Sequence, residues 1–307
     1  MKVKMIATLL LLFVFVSGCH QQLKSPEIAL YTSKAVAAGT PEGINQPKKI
    51  RIALASVLSP QASLSKYRDL LDYIGSQMDS PIEIIQKQSY QEVDRMLKAG
   101  EVDIAFICSL SYVLGLKDQY LVNVAAPEIN GRAMYHSYTI VNQSSSYESL
   151  EELKGKKFAY TDPYSYTGRL SILSELYHSG YSSTDFFSNT FFTYSHDYSV
   201  NAVQLGIVDG ATVDGVLLDQ LLKEKPELNA QIRIIGMGEE AGTPPVVASK
   251  KADSQIVKEF SEILLNLQSD RKGTKLLEEL GVERYAPINE QDYEVIKKGL
   301  FLLGETS

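Results

Sequence analysis

The chain of 307 residues has no tryptophan, two cysteines and four scattered histidines. One cysteine, Cys19, lies in an expected export signal, so only Cys108 remains in the mature domain. No internal disulfide can then form, and the fold must be held by its core. Cys108 sits in the apolar run Ile104 to Cys108, which suits a buried, inert thiol. The histidines and this one thiol show no metal-ligand spacing, so neither a metal nor a cofactor is expected. The sequence has no Lys/Arg cluster, and 37 acidic residues outweigh 30 basic ones for a net charge of −7. That balance argues against nucleic acid or an anionic lipid surface as the main partner. There is no Gly-x-Ser-x-Gly elbow, no His-Glu-x-x-His and no P-loop, which argues against an enzyme.

What is present begins at the N-terminus. Lys2 and Lys4 precede an apolar run from Ile6 to Val16, broken only by Thr8. A run this short followed by small residues is an export signal rather than a membrane span. There is no second long apolar run. Val16-Ser17-Gly18-Cys19 resembles the bacterial lipobox, and that resemblance implies cleavage before Cys19 and lipid on its thiol and new N-terminus. The plainer alternative is an ordinary secretory signal with an incidental cysteine. The expected organisation is a signal peptide over 1–18, then a flexible polar tether over 19–48 with Pro26, Pro41 and Pro47. The protein is expected to be exported and lipid-anchored to the cell envelope.

At Lys49 the pattern changes. Ile50 to Ala55 reads as a buried strand, and Leu64, Tyr67, Leu71, Ile74 and Met78 form one face of a helix. Ile82 to Ile85 is a second strand. Ser89-x-x-Glu92 is a capping box before Val93, Met96 and Leu97, with Gly100 as the stop. Val102 to Ile107 is a third strand. This rhythm predicts a mostly parallel sheet covered by helices. It returns after Tyr138 to Val141, with a second capping box at Ser149-x-x-Glu152. Strands are predicted over 157–160, 190–194 and 210–213, and helices over 168–177, 198–205 and 216–223. Late helices near 254–267, 271–280 and 291–302 return the chain to the first unit. The reading is an α/β protein of two lobes, 49–137 with 235–307 and 138–234. The ligand cleft is expected where strand ends meet helix N-termini.

The segment Asp162-Pro163-Tyr164-Ser165-Tyr166-Thr167-Gly168 joins a strand to a helix. Free N–H groups at a helix start and the positive end of its dipole suit an anion, and hydroxyls add donors. The plain alternative is that Ser165 or Thr167 is a helix cap. His196 could likewise just open a helix, and Asp214 could be an N-cap. Tyr164, Tyr166, Tyr194 and Tyr198 are expected to bracket the cleft.

A wider resemblance covers residues 49 to 290. It rests on Leu70 to Ile74, Ala99 to Phe106 and Ser111-Tyr112-Val113-Leu114. Further along come Leu150 to Lys156, Asp162-Pro163-x-Ser165-x-Thr167-Gly168, Ser195-His196-Asp197, Val208 to Asp214, and Thr243-Pro244-Pro245. In this order they resemble the phosphate, phosphite and phosphonate-binding proteins of ABC importers. The resemblance implies the type II periplasmic-binding-protein fold, no chemistry, and capture of a small phosphorus oxyanion for an ABC permease. It implicates Ser165, Tyr166, Thr167, His196 and Asp214, with Ser109 and Tyr112 as first-lobe contacts. Two positions depart from the family pattern. Tyr166 stands where Thr is common, and Cys108-Ser109 where Gly-Pro is common. The same fold could instead serve a sensor feeding a signalling partner, and an envelope hydrolase is the third possibility. A monomer is expected, with no nucleic acid partner and its membrane contact through the N-terminal lipid.

Overall fold

The computed structural model describes residues 49–304. The export signal, Cys19 and the tether lie outside the described residues. In the N-terminal part, β1 (Ile50–Leu54), α1 (Pro60–Gln77), β2 (Ile82–Gln86), α2 (Tyr90–Ala99) and β3 (Ile104–Phe106) follow the expected rhythm. The capping box of α2 forms: Ser89 Oγ accepts from the Glu92 N–H, and the Glu92 carboxylate accepts from the Ser89 N–H. Gly100 ends α2 with φ of 75°, a left-handed conformation that costs glycine nothing. Then come α3 (Ser109–Lys117), β4 (Leu121–Glu128), β5 (Met134–Tyr135) and β6 (Ser137–Asn142).

After β7 (Lys157–Tyr160) the chain makes a π-turn over Tyr166–Leu170 and continues as α4 (Ser171–His178). A short α5 (Ser183–Phe186), β8 (Asn189–Phe192), α6 (His196–Gln204), β9 (Gly210–Asp214), α7 (Gly215–Glu224) and β10 (Ile232–Met237) follow. The chain finishes with β11 (Ala241–Gly242), β12 (Val246–Ser249), α8 (Ser254–Leu265), α9 (Arg271–Leu280), β13 (Arg284–Ala286) and α10 (Glu294–Leu302). The second capping box does not form. Around Glu151–Leu153 there is only a single 3₁₀ turn, with Leu150 at its start and no side-chain cap. Glu152 instead accepts from the Glu148 N–H, because a three-residue turn ends before a box could help it.

The strands make two sheets of like topology. One has the order β2-β1-β3-β12-β4-β13, the other β8-β7-β9-β6-β10. In each, a parallel trio comes first (β2-β1-β3 and β8-β7-β9), and antiparallel strands extend it. The strand beside each trio, β12 or β6, arrives from the other sheet. The two crossing segments pair with each other as β5 and β11, Tyr135 opposite Ala241. This two-lobed α/β architecture is the one expected. β6 begins at Ser137, and β10 runs on to Met237 past an irregularity at Gly236.

Alternation on the strands decides the core. Ile50, Ile52 and Leu54 face α1, α8 and α9 with Leu70, Leu71, Ile74, Phe260 and Leu264. Ala53 and Ala105 face the opposite side with Val93, Leu97 and Tyr112. The period of two along a strand puts these sets on opposite faces. Fully burying one such Leu or Ile contributes about 1.5–3 kcal/mol, so each sheet is anchored from both sides. Among the described residues no helix is long and apolar enough to cross a membrane.

Candidate functional site

Five strand ends and the helix starts that follow them gather between the two sheets. β1 leads to α1, β3 to α3, β7 to the π-turn, β8 to α6 and β9 to α7. The lobes are drawn together across this region. The His196 N–H donates to the Val57 carbonyl at 3.0 Å, and the Ser59 N–H to Asp197 Oδ1 at 2.9 Å. The Tyr90 N–H donates to Asp162 Oδ2 at 3.1 Å, and Lys66 pairs with Glu224 at 2.8 Å. The polar residues at the meeting point are therefore buried: Ser165, Thr167, Ser195, His196 and Asp214 are all 5% exposed or less.

The π-turn sets the first group of donors. Leu170 N–H bonds to the Ser165 carbonyl and Ser171 N–H to the Tyr166 carbonyl, both five residues back. Ser165 caps it, its Oγ accepting from the Gly168 N–H at 2.9 Å. A hydroxyl that accepts still has its proton to donate, so capping and ligand contact are compatible at Ser165. Gly168 makes the approach possible: a Cβ there would meet Thr161 Cβ at 2.4 Å and Ser165 Oγ at 2.8 Å. The Thr167 carbonyl accepts from Thr212 Oγ1 at 2.8 Å, which ties the turn to β9. Tyr166 turns its side chain away: its hydroxyl donates to the Glu239 carbonyl at 2.7 Å. What it offers to the interior is its backbone N–H, which lies against the Cys108 sulfur together with the N–H of Leu110. Two helix starts, one from each lobe, thus converge on that thiol. Burial pushes the Cys108 thiol up to about 11, so it is neutral.

The second group comes from α6 and α7. Tyr194, two residues before His196, is held at φ of 60°, a conformation rare outside glycine and Asn or Asp. His196 is then the first residue of α6, two residues earlier than the sequence pattern suggests. Its Nδ1 accepts from the Asp214 N–H at 3.0 Å, with Thr161 Oγ1 at 3.1 Å. With Nδ1 an acceptor, the proton sits on Nε2 and the ring is neutral. Burial holds its pKa down to about 3, against the opposing pull of Asp197. Asp214 is both a strand end and the N-cap of α7, Oδ1 accepting from the Leu217 N–H at 3.0 Å. Burial raises its pKa to about 6, opposed by the N–H groups of Leu217 and Val216.

The first-lobe contacts suggested by the family pattern are otherwise engaged. Ser109 Oγ donates to the Gly242 carbonyl at 2.6 Å. Tyr112 donates to Asn123 Oδ1 at 3.1 Å, and its ring packs on Tyr293 with centroids 4.6 Å apart in the core. Of the tyrosines expected to bracket the cleft, Tyr198 is 49% exposed on α6, and Tyr164 accepts from Gln91 Nε2.

Two other tyrosines take their place. Tyr90, first residue of α2, and Tyr135, in β5, are almost fully buried, yet their hydroxyls have no hydrogen-bond partner among the described residues. Tyr90 faces Ser165 and Tyr135 faces Ser109, and both lie near Cys108 and Asp214. Burial raises both far above the ordinary phenol range, so each stays a neutral phenol with a proton to donate. Ser195 Oγ is likewise buried and unpartnered among the described residues. Tyr90 has one sequence signal, its place just inside a capping box after a strand. Tyr135 has none, being placed by the crossing pair. Asp162 is wholly buried between the lobes, accepting from the Tyr90 and Tyr164 N–H groups. Burial raises its pKa, against those two N–H groups.

Known proteins share this fold. A curated relative, the phosphate-import protein PhnD of Mycolicibacterium smegmatis, is 26% identical over 215 residues, 66% of this chain and 67% of the relative. The binding component of an ABC phosphonate transporter from Pseudomonas aeruginosa superposes with a TM-score of 0.78 at 20% identity, covering 84% of this chain and 87% of the other. PhnD1 of Prochlorococcus marinus, solved with methylphosphonate, gives 0.76 at 18% identity over 84% and 99% of the two chains. The family model for periplasmic substrate-binding proteins of phosphonate ABC transporters matches residues 52–293. The chain belongs to that family, and its two-lobed fold with a cleft at the strand ends is the fold of those relatives.

Proposed function

We propose that this protein is a lipid-anchored receptor that closes on one small phosphorus oxyanion and delivers it to an ABC permease. The observation that carries this reading is the set of unmatched donors around Cys108. Two helix starts meet at the Cys108 thiol, and beside it the buried hydroxyls of Tyr90 and Tyr135, which face Ser165 and Ser109, complete no hydrogen bond of good geometry among the described residues. Buried donors without partners cost about 1–3 kcal/mol each, a cost that an oxyanion would relieve. The Nε2–H of His196 and the hydroxyl of Ser165 extend the set. Charge-assisted hydrogen bonds contribute about 1.5–3 kcal/mol each, so four of them reach the roughly 8 kcal/mol of micromolar binding.

The site holds its ligand by neutral donors rather than by a cation, and Asp214 adds an acceptor. Such a site favours an anion that still carries a proton, because a buried carboxylate beside a dianion would be repelled. The two lobes, taken as 49–137 with 235–307 and 138–234, would open at the paired crossing segments and close on the ligand. Cys19 would supply the anchor and residues 19–48 the reach from membrane to permease.

The test is calorimetric titration of the full chain with phosphite, phosphate and methylphosphonate, repeated on the double variant Ser165→Ala, Thr167→Val. At least one oxyanion should bind, and the double variant should lose tenfold or more in affinity. Equal affinity in both proteins would leave the turn as a plain helix cap.

A further inference from the structure

Asp94 lies one turn beyond Tyr90 on the buried face of α2. It is 7% exposed, and neither of its carboxylate oxygens has a hydrogen-bond partner among the described residues. From α3 the Ser111 hydroxyl faces it, itself buried and completing no hydrogen bond of good geometry. From the turn before β4 comes the Tyr120 phenol. Lys98, one turn further along α2, is paired with Asp118 at 2.6 Å. The second lobe adds a like charge, Asp162, and sets the phenol of Tyr164 near Tyr120.

The two carboxylates are not alike. Asp162 accepts from the Tyr90 and Tyr164 N–H groups and has the Arg169 guanidinium nearby, so its charge is compensated. Asp94 accepts from no N–H group among the described residues. Burial pushes its carboxyl up to about 7, against the Ser111 hydroxyl and with the help of Asp162. Of the pair, Asp94 is therefore the one that takes the proton.

This balance depends on the lobes being together. Asp162 is docked on the start of α2 through its 3.1 Å bond from the Tyr90 N–H. Opening would carry Asp162 away with the second lobe and admit water to the face of α2 that it covered. Both changes favour the charged form of Asp94.

We propose that Asp94 is a proton switch on lobe closure: the closed form carries the proton and the open form releases it, so that ligand capture takes up a proton and strengthens as the pH falls. The inference rests on the reading of the protein as a receptor that closes on an oxyanion. The closed form gains on the open one below about pH 7 and loses that gain as the pH rises past it. A ligand that selects the closed form draws the proton in, and the proton favours the ligand by the same factor.

The experiment is calorimetric titration of the full chain, wild type and Asp94→Asn, with phosphite, phosphate and methylphosphonate. It runs from about pH 6 to about 8.5 in buffers of different ionisation enthalpy. Titration of the anion and of Asp214 is common to both proteins and cancels in the comparison. Wild-type binding should take up more protons than Asp94→Asn near neutral pH, and should weaken about threefold more over the range. Asp162→Asn keeps an oxygen for the Tyr90 N–H and removes the charge facing Asp94. It should flatten the pH dependence in the same way, and it serves if Asp94→Asn does not fold. X-ray scattering of the ligand-free wild type should show a radius of gyration that rises with pH, and that of Asp94→Asn should stay constant. Equal proton uptake and parallel pH profiles in all three proteins would overturn the switch and leave the oxyanion reading standing. If no anion binds, the oxyanion reading fails and the scattering decides the switch by itself. A wild-type radius that ignores pH, or that is matched by Asp94→Asn, overturns it.

Discussion

The backbone N–H of Asp214 donates to Nδ1 of His196 across 3.0 Å, and this one bond joins the first residue of α6 to the last residue of β9. It fixes the imidazole as the Nε2–H tautomer. It also places a carboxylate beside a neutral ring rather than beside an imidazolium. His196 and Asp214 are thus a donor and an acceptor set side by side, not an ion pair.

That bond predicts an acid sensitivity. The pKa of His196 falls from about 6.5 unfolded to about 3 folded, chiefly through burial. The unfolded chain therefore takes up a proton that the folded one refuses. Stability from this group is present above pH 6.5 and is lost as the pH falls towards 3. Urea unfolding of the ligand-free protein should show the wild type losing about 1.4 kcal/mol per pH unit across this range relative to His196→Asn. Parallel pH profiles for the two proteins would mean that His196 is charged in the fold.

Asp214 carries the opposite sign. Its folded pKa is raised to about 6 by burial, so its contribution is present below about pH 3.9 and is lost as the pH rises through 6. Asp214→Asn keeps a competent cap and removes the charge. It should gain on the wild type in thermal unfolding between pH 4 and 6.5, and should lose discrimination against more highly charged anions. Asp214→Ala removes the cap and should cost about 1 kcal/mol. An unchanged ligand ranking in Asp214→Asn would reduce the residue to a cap.

Gly168→Ala should damage fold and binding together. The new methyl would press on Thr161 and Ser165. Thr161 lies against His196 Nδ1, and Ser165 caps the π-turn. Overpacking of this kind costs about 1–3 kcal/mol. Denaturant midpoints and titration read the two effects, and a variant with wild-type affinity would show that the turn has slack the geometry does not reveal.

Asp162 accepts one N–H from Tyr90 in the first lobe and one from Tyr164 in its own. Asp162→Ala removes the interlobe bond to the Tyr90 N–H and leaves the side chains of Ser165, Thr167 and His196 in place. The ligand-free variant should have a larger radius of gyration by X-ray scattering, and its ligand affinity should fall in proportion to the lost closed population. No change in either quantity would mean that the other bridges suffice.

Cys19→Ser tests the anchor. The variant should leave the membrane fraction or remain unprocessed. Retention on membranes at mature size would place the attachment elsewhere.

Much of this protein is determined by sequence order alone. The Ser89–Glu92 box and Gly100 bracket α2 because capping is a local affair of three or four residues. Strand alternation from Ile50 to Leu54 needs only the period of a strand. The hydroxyls of the Asp162–Gly168 segment can be picked out because a helix start after a strand is legible in one dimension, whereas His196 and Asp214 are pointed to by the family resemblance. Other features depend on contacts between residues far apart in the chain. β4 is not legible in the sequence because Pro127 and the mixed run Leu121–Glu128 carry no clear period, and pairing with β12 and β13 is what makes it a strand. The fates of Ser109, Tyr112 and the Tyr166 side chain are set by Gly242, Asn123 and Glu239, partners that sequence spacing cannot reveal. The burial of Tyr90 and Tyr135 with free hydroxyls arises only when the two lobes meet. Closure removes water from both faces at once, and that is what turns scattered polar residues into a site.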